Sequence, residues 1–142
     1  MRFKLIFLSL FWFSGIGTSG PEGWDIFSKV VFTATYFEDA DAYFEVPTFN
    51  PELKALENKR IELSGYFIPI EVDTIFVLSA LPYSSCFFCG GGGPETVAEV
   101  RMKKVPTDLS PDGLIKVEGR LRLNEANIDY MNFILEDAQF KE

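Results

Sequence analysis

Three features of the sequence predict a mostly β fold. Apolar and polar residues alternate in short runs, two of those runs carry a central glycine, and turn residues separate them. A strand with a glycine inside it bends sharply, as the strands of small barrels do at their corners. The expected architecture is a small OB-like barrel of five to six Greek-key strands with one short helix; a β-sandwich is the alternative. Residues 20–142 form this single domain, behind a signal peptide at 1–19.

The elements follow in order. VVFTATYF, at 30–37, is β-branched and aromatic and reads as a strand. The acids Glu38, Asp39 and Asp41 then fall in a turn or on a solvated edge. In PELKALENK a short helix starts, with Asn50 as its N-cap and Pro51 at its first position. RIELSGYFIPI sets Ile61, Leu63, Gly65 and Phe67 on one face; Gly65 suggests a bulge or bend, and Pro69 ends the strand at an edge. TIFVLSAL is continuously apolar and so buried, whereas TVAEVRMKK alternates with Ala98, Val100 and Met102 on one side. LIKVEGRLRLN puts Ile115, Val117, Gly119, Leu121 and Leu123 on one face and four charged residues on the other. The turn SPDG precedes it, and MNFILEDAQF closes the chain as a last strand.

The first nineteen residues have the layout of a secretory signal. Arg2 and Lys4 precede an apolar run from Leu5 to Phe13, and small residues follow. The run is about half of the ~20 apolar residues that a spanning helix needs, so a cleaved signal is expected and a retained anchor is the alternative. Cleavage after Ser19 would remove two cations and no acid, moving the formal charge from −8 to −10. Such an acidic surface repels nucleic acid phosphates and anionic lipids, which leaves an envelope protein as the expected partner class. The expected location is periplasmic or extracellular, where thiols can oxidise.

The chemistry-bearing stretch is YSSCFFCGGGGPET. It holds the only two cysteines, Cys86 and Cys89, in a chain without histidine. As a disulfide, the pair closes a four-residue loop worth roughly 2 kcal/mol. As a metal site, it is half of a tetrahedral zinc knuckle, completed by Glu95, by the acids near Glu38 or by a partner; cuprous copper, a soft ion, suits two thiolates alone. A thiol oxidoreductase needs a helix start or a nearby cation to lower a cysteine pKa, and glycines follow Cys89 instead. Haem attachment would need histidine where Gly90 stands. The four glycines lack the Lys-Ser/Thr of a phosphate loop, and Glu95 would repel phosphate. Phe87 and Phe88 are expected in the core or as a lid over the sulfurs. Catalysis has little to build on, with no histidine base, no G-x-S-x-G and no carboxylate pair at a telling spacing.

From Trp24 to Gln139 the chain resembles a family of small exported bacterial proteins with an OB-like barrel and no assigned activity. The family pattern is a glycine strand ending in Pro-hydrophobic-Glu, then Cys-x-His, a proline run and Asn-Gln. Gly65 to Glu71 match the strand and Cys86 the cysteine, with Pro94 at the end of the run. Phe88 stands at the histidine position, Cys89 follows it, and Glu95 and Thr96 replace Asn-Gln. The resemblance implies that one metal ligand, histidine, has been exchanged for another, cysteine; with Glu95 as the carboxylate beside the pair, the expected metal set is Cys86, Cys89 and Glu95. The function expected is an exported accessory protein that binds or delivers zinc or copper. The alternatives are a non-enzymatic interaction module with a structural disulfide and, behind it, a thiol oxidoreductase.

Overall fold

The computed structural model describes residues 20–142, so the expected signal peptide at 1–19 lies outside the described residues. Seven strands and one helical turn follow in the order β1 (Val31–Phe37), β2 (Ala42–Thr48), α1 (Pro51–Lys54), β3 (Arg60–Pro69), β4 (Ile75–Ser79), β5 (Val97–Arg101), β6 (Leu114–Leu123) and β7 (Phe133–Phe140). The last five close into a barrel in the order β3-β4-β5-β7-β6. β5 and β7 run parallel and every other barrel pair is antiparallel. Closure excludes the sandwich. It depends on β3, which pairs with β6 through Tyr66 and with β4 from Tyr66 onward.

Gly65 sits at that change of partner, and its role is close approach. A Cβ there would lie 2.5 Å from the Ser79 carbonyl oxygen, so only glycine lets β3 lie this close to the end of β4. Of the bulge or bend expected at Gly65, no bulge interrupts β3; the barrel's register shift lies between β6 and β7. There β7 carries one more residue than β6 between the pairs Glu118–Gln139 and Arg120–Glu136. Asp137 absorbs it at φ 49, in the left-handed region where Asp is among the better tolerated residues. Its carboxylate accepts a 2.8 Å hydrogen bond from Arg120.

The inward faces match the alternation in the sequence. Leu63 and Phe67, Phe76 and Leu78, Ala98 and Val100, Val117 and Leu121, and Phe133 and Leu135 fill the barrel. One end is stoppered from outside the strands. Phe27, fully buried, stacks on Phe133 with ring centroids 4.0 Å apart, and Phe49 tilts against the same ring. Trp24 holds this plug in place by donating from Nε1 to the Ser64 carbonyl at 2.8 Å. α1 is a single turn, capped as the sequence predicts: the Leu53 amide donates to Asn50 Oδ1 at 2.8 Å, and Leu53 is buried beneath it.

VVFTATYF is not a barrel strand. β1 pairs with β2 in a separate antiparallel hairpin. Glu38, Asp39 and Asp41 sit in its turn, as expected, with Asp41 closing the 3-10 turn Glu38–Ala40 at φ 48; the residues from Ala42 on form strand β2, which the sequence reading did not assign. Among the described residues no helix is long and apolar enough to cross a membrane.

Candidate functional site

The cysteine loop packs against the outside of the barrel wall. Because β4 is apolar on both faces, Val77 points away from the barrel interior and still needs cover. Cys86 supplies it, packing with Ile68, Val77 and Val97 in a second, smaller apolar cluster. Two single 3-10 turns follow one another here, Tyr83–Ser85 and Phe87–Cys89, with Cys86 between them in extended conformation. The amides of Cys89 and Gly91 both return to the Cys86 carbonyl, at 3.1 Å each. That fold requires glycine at 91, where a Cβ would fall 2.2 Å from the Ser85 carbonyl oxygen.

The structure separates the two cysteines by environment. Cys86 is fully buried; Cys89 is exposed and donates to the Tyr83 carbonyl at 3.2 Å. Both are free thiols, so the disulfide drawn from the sequence is absent here. Local desolvation, then the charge and hydrogen bonding of Cys86, push the Cys89 thiol up from its ordinary value. That is the reverse of the lowered pKa an attacking thiolate needs. Glu95 does not join the sulfurs as a third ligand: its carboxylate folds back over Gly93. Among the described residues no three of Cys, Asp or Glu converge as a metal would need, so these residues do not by themselves supply a tetrahedral zinc shell.

Phe87 and Phe88, expected in the core or over the sulfurs, are exposed and form one wall of a groove of about 690 Å³. Val77, Val97 and Glu99 of β4 and β5 make its floor. Ile70 and Val72, from the turn between β3 and β4, close one side, Tyr43 and Phe44 of the hairpin another, and Ile128 and Tyr130, between β6 and β7, a third. Seven of the twelve large hydrophobic side chains exposed among the described residues line this groove. Scattered single exposure is normal on a protein surface and needs no explanation, whereas convergence of this kind does.

Local polar contacts hold the walls. Asn124 organises the β6–β7 loop, its Nδ2 donating to the carbonyls of Asn127, Tyr130 and Met131 while its Oδ1 accepts from the Asn127 amide. Arg101 stacks 4.6 Å above the Tyr130 ring and pairs with Glu99 at 2.6 Å. The other Glu99 oxygen accepts from the Met131 amide at 3.3 Å. Four acids line the groove, Glu45, Glu99, Glu125 and Asp129, and no Lys or Arg does. Glu99 and Glu125 have cationic partners; Glu45 and Asp129 have none among the described residues.

A second cleft, of about 730 Å³, lies across β5, β6 and β7, with Arg101, Arg120, Glu136 and Asp137 in its lining. These four pair with one another, although Arg101 Nη2 is buried there without a hydrogen-bond partner among the described residues. The sequence alone named Phe87, Phe88 and the cysteines but missed Tyr43, Ile70, Val72, Ile128 and Tyr130. Ile70 ended a run read as a strand, while Tyr43, Val72, Ile128 and Tyr130 were visible only as large apolar side chains in stretches outside the strands read from the sequence. Compared with protein-family models, curated proteins and solved structures, the chain matches none.

Proposed function

We propose that this protein is a non-enzymatic interaction module whose groove, beside the cysteine loop, takes an extended segment of a partner protein. The observation that carries this reading is the convergence of exposed apolar side chains from four separate chain segments on one groove. Aromatic anchors such as Tyr43, Phe88 and Tyr130 are the residue types that dominate protein interfaces. The acidic lining selects the occupant's chemistry: apolar side chains seated between Phe88 and Tyr130, with Lys or Arg beside Glu45 and Asp129. Phosphate-rich ligands would meet only negative charge there. Barrels of this strand order commonly take ligands on the outer face of their second and third strands and the adjoining loops, and β4, β5 and the two flanking loops occupy those places.

Selection from a random peptide library on the immobilised protein tests the reading. Binders should be enriched in apolar residues flanked by Lys or Arg, weaken with salt, and be lost in Phe88→Asp. Equal recovery of acidic and basic peptides, or binding unchanged in Phe88→Asp, would refute it.

The sulfurs support a second, narrower reading. Cys86 and Cys89 stand in one tight loop, where the Cys89 amide returns to the Cys86 carbonyl at 3.1 Å, so a single short segment carries both thiols. Two thiolates suffice for cuprous copper, which needs no third ligand from Glu95. Titration of the reduced protein against a Cu(I) chelator should then show one equivalent bound and none in Cys89→Ser; equal uptake by the variant removes this reading.

A further inference from the structure

β1 presents an open strand edge. It pairs with β2 on one side alone, and among the described residues no other strand joins the two-stranded sheet. Its sequence, VFTATYF, holds no charge, no proline and no glycine, and five of its seven residues are exposed. Natural edges are guarded by charge, proline or bulges. β2 is guarded in this way, by Glu45 and Pro47, and β1 is not. A hairpin alone is also marginal in water, where three or more strands are the usual minimum.

The strand is self-complementary. Reversed about Ala34, VFTATYF sets Ala34 against itself, Thr33 against Thr35, Phe32 against Tyr36 and Val31 against Phe37. These are the cross-strand pair types that stabilise antiparallel sheets: Thr with Thr, aromatic with aromatic, β-branched with aromatic. Continued past the strand ends, the same register carries Lys29 of one copy toward Asp39 of the other, while the two acidic turns stay at opposite ends. We propose that β1 joins a second copy of this chain, antiparallel about a two-fold axis at Ala34, fusing two hairpins into a four-stranded sheet. Such an isologous contact closes on itself and stops at two copies. It does not rest on the groove's having a partner, although Phe37 at the end of the strand also lines that groove.

Sedimentation velocity of the purified chain at rising concentration tests the proposal. The wild type should move from monomer to dimer, and Ala34→Lys should stay monomeric, since it opposes two lysines at the axis. Within one copy that lysine lies across from Glu45, so the hairpin keeps its fold. Mixing Ala34→Lys with Ala34→Glu should restore the dimer, a result that loss of folding cannot mimic. A wild type that stays monomeric throughout, a dimer that survives Ala34→Lys, or mixing that restores nothing would overturn the proposal. A dimer lost in Phe88→Asp instead would place the interface at the groove and overturn it too.

Discussion

Phe27→Ala should be among the most damaging single changes in this chain, although the residue lies outside every barrel strand. The ring is fully buried, stacks on Phe133 at 4.0 Å, and stoppers the barrel end. Truncating such a phenylalanine removes its transfer free energy and leaves a cavity, at a cost of about 3–5 kcal/mol. For ~120 ordered residues at about 2.1 cal/mol/K each, the unfolding entropy is about 0.25 kcal/mol/K, so the midpoint should fall by roughly 12–20 °C. Phe88→Ala is the control. Its ring is 54% exposed, and surface changes of this kind stay within about 0.5 kcal/mol. Thermal and urea unfolding of both variants followed by circular dichroism would measure the contrast. A loss below about 1 kcal/mol for Phe27→Ala, or equal losses for the two, would refute the division between plug and groove.

Further outcomes follow from the loop and from the charged face of the barrel. Iodoacetamide should modify Cys89 in the folded protein more slowly than it modifies an unstructured thiol at the same pH. Cys86 should react only on unfolding, as mass spectrometry of the labelled peptides would show. Gly91→Ala should cost about 1–3 kcal/mol through overpacking against Ser85, and should raise the labelling rate of Cys86 in native conditions. Hydrogen bonds from Arg60 and Lys141 hold the Glu118 carboxyl below its usual range, and Arg120 does the same for Asp137. A depressed folded value adds stability above the unfolded pKa of about 4 and loses it as pH falls through the folded value. Urea midpoints should therefore drop on acidification, with a shallower drop in Arg120→Gln.

Period-two alternation located β3, β5 and β6, and a continuous apolar run located β4, which is covered on both faces; Ala98, Val117 and Leu121 lie inside as their spacing requires. Alternation failed for β2, whose Glu45 and Pro47 resemble a solvated edge; the strand exists because β1 pairs with it along seven residues. The Phe27 plug was invisible because one aromatic in a turn has no period, and only closure of the barrel creates the hole it fills. The groove was half legible. Phe87 and Phe88 drew notice for standing between the cysteines, but their exposure follows from Cys86 taking the buried place beside Val77. Ile70 and Tyr130 are about sixty residues apart in sequence, and the strand order alone brings their loops to one face.

The claim that the groove is where a partner docks is tested most directly by amide chemical shifts of the labelled protein, recorded while a selected cationic, apolar peptide is added. The account predicts that the largest shifts fall on Tyr43, Ile70, Phe88, Ile128 and Tyr130, with the far side of the barrel around Lys116 and Lys141 unmoved. Shifts spread evenly over the surface, or concentrated in the cleft across β5, β6 and β7, would contradict it.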